Sequence, residues 1–342
     1  MDKYVVILAA GKGTRMNSRD PDHSKVSYPI LGKALINYVL DILEPLEAKE
    51  TITVVGFGGE ATKKLVEKRS KVVWQKEILG TGHAALECEE LLKDKEGITV
   101  VTAGDKPLIR TQTLLNAIHH FEKEKADLMV ISSYLVNPNG YGRILREKPS
   151  RRVLAVREDK DCNEYEKEIP EVNSGIYLFN NKLLFQYLNK ALETRRSKEF
   201  NITEIIEMIV SDGYLVSSYV VEDPMEIFSI NDRINLAYAA KVIRKRINHK
   251  LMLEGVSIED PATAFISPEA TIGRDTIIRP NTTILGKCVI GEGNSIGPNA
   301  YIRDSEIGHE NHIRQSSIVR SKINDFQFIG PFANIVDNKI QK

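Results

Sequence analysis

The sequence is poor in cysteine and has no excess of charge of either sign. Its three cysteines lie far apart without CxxC spacing, so we expect neither a disulfide framework nor a zinc site. Lys and Arg together number 47, as do Asp and Glu, and this balance argues against a nucleic-acid-binding protein. No apolar run reaches the roughly 20 residues of a membrane span. The first predicted strand follows Met1 almost directly, which leaves no room for a signal peptide and predicts a cytoplasmic protein.

Over residues 1–230, short apolar segments alternate with helical patterns. One strand is predicted from Tyr4 to Ala9, another from Ile98 to Thr102, and a helix from His83 to Leu92. Such alternation predicts an α/β domain with a mostly parallel sheet, in which ligands bind beyond the carboxyl ends of the strands. A stretch rich in Lys and Arg, residues 231–254, then predicts a connector helix with a solvated face.

Isoleucine recurs at a regular spacing in the rest of the chain. The isoleucines that follow one another at every sixth residue are Ile266, Ile272, Ile278, Ile284, Ile290, Ile296 and Ile302. After a shorter step Ile307 and Ile313 continue the spacing, and Ile323 and Ile329 fit it again. This period predicts a parallel β-helix of about 3.5 coils, in which each rung buries its isoleucine against its neighbours. The pattern resembles the hexapeptide repeat of left-handed β-helices.

A glycine-rich segment, residues 8–16, follows the first predicted strand and has the sequence Leu-Ala-Ala-Gly-Lys-Gly-Thr-Arg-Met. Gly11 and Gly13 let the backbone approach a phosphate chain closely, and successive backbone N–H groups there can form an anion-binding concavity. A glycine pair alone is most often a tight turn. Met16 stands where the dinucleotide-binding fingerprint has its third glycine, which disfavours a Rossmann dehydrogenase.

The whole segment 8–16, followed by Lys25, resembles the sugar-nucleotide pyrophosphorylases. Further segments narrow the resemblance to the bacterial bifunctional uridylyltransferase/acetyltransferase family, GlmU. In order along the chain, these segments are VWQKEILGTGHA (73–84), GDKPLI (104–109), GYGRI (140–144), VNSGI (172–176) and INDR (230–233), with the hexapeptide repeats after them. The resemblance implies a Rossmann-like nucleotidyltransferase domain over residues 1–230, a connector helix over 231–254 and a short left-handed β-helix over 255–342.

The resemblance also implies an activity, the formation of UDP-N-acetylglucosamine and pyrophosphate from UTP and N-acetylglucosamine 1-phosphate, with Mg²⁺ as cofactor. Arg15 and Lys25 would contact the phosphates as catalytic cations, and Asp105 and Asn231 would bind Mg²⁺. One carboxylate suffices for Mg²⁺, because this ion keeps most of its waters. The residues implied to wrap the nucleotide are Leu8, Ala9, Ala10 and Gly11. Those implied to bind uracil are Gln75, Gly80 and Thr81, those implied to hold the sugar are Gly142, Glu158 and Asn173, and Ala103 and Gly104 complete the substrate-binding set.

Four positions depart from the family pattern without removing a residue that carries a role. Ala103 stands where a larger residue is often found, Lys106 places a cation beside Asp105, Glu204 replaces an aspartate, and Ser229 replaces a glycine. The residues leave open a related enzyme for another sugar 1-phosphate, such as glucose or N-acetylgalactosamine 1-phosphate, and a non-catalytic regulatory homologue. Asn231 could also serve as the N-cap of the connector helix.

The repeat region carries expectations about assembly. Hexapeptide β-helices of this family form trimers, so the resemblance implies a homotrimer, and we expect neither nucleic acid nor a membrane as partner. The aromatic cluster Phe326, Phe328 and Phe332 could cap the last coil or contact a neighbouring subunit. The repeat stops near Ala333, before the coils that carry acetyl transfer in the family, so we expect no acetyltransferase activity.

Overall fold

The computed structural model describes residues 1–20, 23–148, 150, 152–194 and 199–341. These residues form two compact units. The first contains residues 1–28 and 34–235, and the second contains residues 29–33 and the chain from residue 236 onward. In the described ranges, no helix is both long enough and apolar enough to cross a membrane.

The described part of the first unit is built on a nine-stranded sheet. Its strands are β1 (Lys3–Ala9), β2 (Glu50–Val55), β3 (Lys71–Trp74), β4 (Ile98–Ala103), β5 (Leu128–Tyr134), β6 (Arg143–Arg146), β7 (Val153–Arg157), β8 (Glu171–Asn180) and β9 (Val216–Val221). The order along the sheet is β9-β5-β8-β4-β1-β2-β3, with β6 paired to β8 and β7 paired to β6. Four of the six pairs along that path are parallel, and β8 runs antiparallel to both its neighbours. The predicted α/β domain with a mostly parallel sheet is confirmed.

Helices cover this sheet on both faces. They are α1 (Leu35–Leu43), α2 (Gly59–Val66), α3 (Thr81–Leu86), α4 (Glu89–Leu92), α5 (Thr111–Glu124), α6 (Glu164–Lys167), α7 (Asn181–Thr194) and α8 (Glu204–Ser211), and a longer helix, α9 (Arg233–Leu253), follows them in the chain. Short 3₁₀ turns lie at Thr14–Met16, Lys25–Ser27, Glu44–Leu46, Asp159–Asp161 and Pro224–Ile227, and two-residue strands lie at Pro29–Ile30 and Lys33–Ala34. The single helix predicted from His83 to Leu92 is wrong. The Cys88 N–H donates to the carbonyl of Ala85 rather than one residue earlier, and this tightened turn separates α3 from α4.

The buried faces of β1 show why these residues form a central strand. Tyr4 and Val6 pack into one hydrophobic cluster, and Val5, Ile7 and Ala9 pack into the cluster on the opposite face. Successive side chains of a strand point to opposite faces, so a continuous apolar run requires cover on both sides. The loop after β1 is therefore held at the carboxyl edge of a strand that is covered on both faces.

Short strands in the second unit stack into a parallel β-helix, as the sequence predicts. They are β10 (Ser257–Ile258), β11 (Phe265–Ile266), β12 (Thr271–Ile272), β13 (Ile277–Ile278), β14 (Thr283–Leu285), β15 (Val289–Ile290), β16 (Ser295–Ile296), β17 (Tyr301–Arg303), β18 (Glu306–Ile307), β19 (His312–Ile313), β20 (Ser317–Val319), β21 (Lys322–Ile323), β22 (Phe328–Ile329), β23 (Asn334–Val336) and β24 (Lys339–Ile340). They form three sheets, β10-β13-β16-β19-β22, β11-β14-β17-β20-β23-β24 and β12-β15-β18-β21. Parallel pairing stacks Ile266, Ile284 and Ile302 in one column of the core.

The β-helix extends beyond the predicted repeat at both ends, from β10 to β23. The six-residue spacing also misses Ile318, which is fully buried and pairs with Ile302 in the same column. The steps from Ile313 to Ile318 and from Ile318 to Ile323 are each one residue short of the repeat, so the period breaks while the columns continue.

The aromatic cluster at the end of the repeat does not cap the last coil. Phe326, Phe328 and Phe332 are 74%, 80% and 81% exposed. At this end β24 instead pairs antiparallel with β23. The capping alternative is therefore wrong, and the cluster presents exposed apolar surface.

Candidate functional site

Two adjoining clefts open where β1 and β4 end. Leu8, Thr81, Ala103 and Asp105 line both of them. We call the smaller one the loop cleft. The other predicted site residues that line it are Ala9, Ala10, Gly11, Lys25, Gln75 and Gly80. We call the larger one the wide cleft. The other predicted site residues that line it are Arg15, Gly142, Glu158, Asn173 and Asn231. Their volumes, about 280 and 520 Å³, are of the order found for small-molecule sites.

Gly104 alone among the predicted site residues lines neither cleft in the described part of the chain. Its N–H donates to the carbonyl of Leu8 at 2.9 Å. A side chain at this position would meet Ile36 and Val26. The structure thus places Gly104 in the packing beneath the clefts, where it ties the loop after β4 to β1.

The glycine-rich loop is shaped by Gly13, whose φ of 58° lies in the left-handed region that favours glycine. A Cβ there would press on the stem of Lys25, so the missing side chain lets that lysine pass beneath the loop. Gly11 differs, because a Cβ at this position would meet no protein atom within 4 Å. Packing within the protein therefore does not require a glycine at position 11. The space beside the Gly11 backbone is open to a ligand in the loop cleft.

A compact set of charges lies where the two clefts meet. The Lys25 ammonium donates to Asp105 Oδ2, and it also lies 3.4 Å from Asn231 Oδ1. The Arg15 guanidinium donates to the same Asn231 oxygen at 3.1 Å. These contacts bring together four predicted residues that are far apart in the sequence, with two cations facing one carboxylate and one amide.

The carboxyl of Asp105 is ionised in this environment. Burial alone would raise the pKa of Asp105, but the positive charges of Lys25 and Lys106 outweigh it and hold that pKa below its ordinary value. Burial also lowers the pKa of Lys106, against the opposing effect of Asp105. The site therefore keeps a fixed negative charge between two lysines.

The donor set at Asp105 fits a Mg²⁺ ion. Asp105 Oδ1 is buried and has no hydrogen-bond partner among the described residues, whereas Oδ2 is bound by Lys25. The Asn231 side-chain oxygen is a second oxygen donor near this carboxylate, since Lys25 contacts both side chains. Mg²⁺ prefers oxygen ligands, keeps several waters and is often held by one or two carboxylates plus substrate phosphates. In the described ranges, no cluster of three or more His, Cys, Asp or Glu side chains offers a protein-only metal cage.

Residues 230–233 position this centre with three separate contacts. The Ile230 N–H donates to the carbonyl of Asp105 at 3.1 Å, which places Asn231 beside that carboxylate. The Asp232 side chain accepts from the third backbone N–H of α9 at 2.7 Å. The alternative that Asn231 caps this helix is therefore wrong, because Asp232 is the N-cap and Asn231 turns into the cleft. Arg233 donates to the Met16 carbonyl at 2.9 Å and so anchors the end of the glycine-rich loop.

Gln75 lies at the base of the loop cleft with 3% of its surface exposed. Its side-chain nitrogen lies 3.1 Å from both the carbonyl of Gly80 and the Nδ1 atom of His83. The φ of Gly80 is 112°, and a Cβ there would overlap the backbone of Phe200. Gly80 therefore permits the close approach of two chain segments, and His83 helps to orient Gln75, a role that the sequence did not indicate.

Polar side chains on the wide cleft hold one another in place. Asn173 donates to the Tyr177 hydroxyl at 2.7 Å and accepts from a backbone N–H at 2.9 Å. Glu158 accepts a hydrogen bond from the Thr203 hydroxyl at 2.8 Å. The carbonyl of Gly142 accepts from the Asn173 N–H at 2.8 Å, which ties β6 to β8 at the cleft wall. The three predicted sugar-binding residues are thus brought into one wall, and Thr203 joins them.

The structure adds Lys106 and Ser229 to the wide cleft, a pair of residues that sequence reasoning assigned no role. Lys106 is 5% exposed, and its ammonium donates to the Ser229 hydroxyl. Both residues were visible in the sequence as departures from a family pattern. Their contact was not, because it joins positions 123 residues apart.

Comparison with protein families agrees with this architecture. Residues 4–225 match the nucleotidyl transferase family, and residues 269–304 match the bacterial transferase hexapeptide family of six repeats. The fold is similar to the crystal structure of a UDP-glucose pyrophosphorylase complexed with UDP-glucose. That similarity has a TM-score of 0.57 and 19% identity, over 72% of this chain and 100% of the other. The fold and the family match together define a nucleotidyltransferase.

Curated relatives narrow the class further. The chain is 44% identical to the bifunctional protein GlmU of Geobacillus thermodenitrificans over 97% of its own length and 72% of that protein. It is 38% identical to the bifunctional protein GlmU of Enterococcus faecalis over 98% of its length and 72% of that protein. The chain therefore belongs to the GlmU family.

Proposed function

We propose that the protein transfers the uridylyl group of UTP to N-acetylglucosamine 1-phosphate and so forms UDP-N-acetylglucosamine and pyrophosphate. The observation that carries the proposal is the pair of adjoining clefts with Asp105 in their common wall. In this proposal UTP occupies the loop cleft and the sugar phosphate occupies the wide cleft. The α-phosphate then lies at their junction, next to Lys25 and Arg15.

The loop cleft suits a uridine nucleotide. The backbone at Gly11 is open to phosphate oxygens, since a side chain at this position would meet no protein atom within 4 Å. Gln75 is held by Gly80 and His83, and an amide side chain offers both a donor and an acceptor to the edge of a base. A buried, oriented amide discriminates between bases more strongly than a free one, because it loses little conformational entropy on binding.

The chemistry requires positioning and charge stabilisation rather than a general base. An oxygen of the sugar phosphate attacks the α-phosphorus of UTP, a new P–O bond forms, and the bond to the departing pyrophosphate breaks. The nucleophile is already anionic, so no proton has to be removed. Arg15 and Lys25 offset the negative charge that gathers on the α-phosphate and the leaving group. Asp105 and Asn231 would hold Mg²⁺, which when bound neutralises phosphate charge and orients the reacting oxygens.

The second unit supports a further proposal, that the protein assembles as a homotrimer. Hexapeptide repeats match residues 269–304, and the exposed phenylalanines at 326, 328 and 332 give the β-helix an apolar surface. Large exposed apolar patches usually mark an interface. Every residue that lines the two clefts belongs to the first unit, so catalysis should not require the trimer.

The metal centre is the sharpest test of this function. Asp105→Asn keeps the shape of the side chain but removes its charge, and Asp94→Asn makes the same change at an exposed position outside both clefts. Pyrophosphate release would be measured with UTP and N-acetylglucosamine 1-phosphate over a range of Mg²⁺ concentrations. We expect Asp105→Asn to lose about 10³-fold in turnover, since a metal contributes several kcal/mol to charge stabilisation. Asp94→Asn should match the wild type.

Wild-type activity should disappear with a chelator and return when Mg²⁺ is added. Near-normal turnover in the Asp105→Asn variant would show that the reacting phosphates bind elsewhere. Activity that persists in excess chelator would remove Mg²⁺ from the proposal.

A further inference from the structure

Lys106 is a buried cation that the proposed chemistry leaves unused. Its side chain is 5% exposed and lies in the wall of the wide cleft. An ammonium has three hydrogen-bond donors. Among the described residues, the Ser229 hydroxyl is its one hydrogen-bond partner. Asp105 offsets part of this charge, but the two remaining donors have no partner among the described residues, which leaves them open to a ligand atom.

The position of Lys106 separates it from Lys25. Lys25 lines the loop cleft and contacts both Asp105 and Asn231, at the junction of the clefts. Of the two clefts, Lys106 lines only the wide one. Its Cε and Nζ atoms lie 3.3 and 3.7 Å from the point where a Cβ on Gly175 would stand. Gly175 leaves room for the lysine, so the ammonium faces the part of the cleft lined by Asn173 and its neighbours.

The contact joins two segments that both line the wide cleft. A glycine at position 229 would have no side chain to accept from Lys106. The two residues are 123 positions apart in the chain, and yet the serine hydroxyl receives the lysine's hydrogen bond. A cation together with the hydroxyl that anchors it forms a built feature of the cleft wall.

We propose that Lys106, anchored by Ser229, is a specificity-determining residue that donates hydrogen bonds to ring hydroxyl oxygens of the sugar 1-phosphate. The inference rests on the proposed function and names the part of the acceptor that the lysine recognises. Charge-assisted hydrogen bonds to a buried partner are stronger than neutral ones, so a sugar lacking the recognised hydroxyl is rejected. The phosphate of the acceptor is left to Arg15 and Lys25.

The test combines a variant with altered substrates. Lys106→Met keeps the length of the side chain and removes its donors, and Lys123→Met makes the same change on an exposed surface. We expect Lys106→Met to raise the KM for N-acetylglucosamine 1-phosphate about 10-fold, while the KM for UTP and the Mg²⁺ requirement stay within about 2-fold. Ser229→Ala should act in the same direction by a smaller factor, and Lys123→Met should leave all three unchanged.

Deoxy analogues of the sugar phosphate identify the recognised atom. In the wild type, the analogue that lacks this hydroxyl should lose as much in kcat/KM as Lys106→Met loses with the full substrate. In the variant, the same analogue should lose nothing further, because the contact is already absent. A merely structural lysine would give equal losses for every analogue, and this result would overturn the inference.

A rise in the KM for UTP or in the Mg²⁺ requirement would also overturn it, because Lys106 would then act through Asp105. Failure of the proposed function gives a different result. The wild type would then release no pyrophosphate from UTP and the sugar phosphate. If the wild type is active and Lys106→Met has an unchanged KM for the sugar phosphate, the role of Lys106 is refuted and the proposed function still stands.

Discussion

Two glycines that line the same cleft should respond in opposite ways to alanine. A Cβ at Gly11 would meet no protein atom within 4 Å, and its φ lies outside the left-handed region. The change Gly11→Ala should therefore leave the fold intact or stabilise it by up to about 1 kcal/mol, because it restricts the unfolded chain. The cost should fall on UTP, since a methyl group there holds phosphate oxygens away from the loop backbone.

The expected loss of UTP affinity follows from one contact. Losing a hydrogen bond to a charged group costs about 1.5–3 kcal/mol. Since 1.4 kcal/mol corresponds to a factor of ten in affinity, Gly11→Ala should weaken UTP binding about 10- to 100-fold. Isothermal titration of UTP measures this directly, and thermal unfolding of the same sample shows that the fold is retained.

Gly80→Ala is the matched contrast. Its φ of 112° is strained for alanine, and the new Cβ would overlap the carbonyl group of Phe200. Strain of this kind costs about 1–3 kcal/mol before any clash is counted, so we expect the unfolding temperature to fall by several degrees. A Gly11→Ala protein that binds UTP normally would refute the assignment of the loop cleft to the nucleotide. A Gly80→Ala protein as stable as the wild type would refute the packing argument for Gly80.

Three further predictions concern pH, the loop anchor and assembly. The pKa of Asp105 is held below its ordinary value by the neighbouring lysines, so its stabilising charge is present above about pH 4 and is lost as the pH falls through the lowered pKa. The difference in urea midpoint between wild type and Asp105→Asn should stay constant from pH 8 to 5 and shrink below pH 4, and a decline already at pH 6 would contradict this. Arg233→Lys should weaken UTP binding about 10-fold, because it loses the fork that holds the Met16 carbonyl and the Tyr28 hydroxyl, and unchanged affinity would contradict the anchoring role. Sedimentation across a concentration series should show a trimer that Phe328→Ser weakens while specific activity stays constant, and a chain that remains monomeric at high concentration would rule out the trimer.

Regular patterns made the fold predictable from the sequence. Side chains of the β-helix core repeat because each coil stacks on the next, so the spacing of isoleucines from Ile266 to Ile302 carries the architecture. Ile318 was missed because shorter rungs break the spacing while strand pairing keeps the column. Helix boundaries such as the break at Cys88 depend on individual hydrogen bonds, which leave no periodic signal.

The candidate site divides in a similar way. The resemblance identified most of the residues that line the two clefts, because these residues lie in short motifs of consecutive positions. Contacts between distant segments were not predictable, and the Lys106–Ser229 pair is the clearest instance. The choice of Asp232 over Asn231 as the helix cap likewise depends on which side chain turns toward the cleft, and this is fixed only in the folded chain.

The identity of the product is best tested by competition between acceptor sugars. The protein would be incubated with UTP, Mg²⁺ and equal amounts of the 1-phosphates of N-acetylglucosamine, N-acetylgalactosamine and glucose. The nucleotide sugars formed would then be separated by chromatography and quantified against the pyrophosphate released. We expect UDP-N-acetylglucosamine as the main product, in an amount equal to the pyrophosphate. A different dominant nucleotide sugar, or no pyrophosphate release with any of the three, would contradict it.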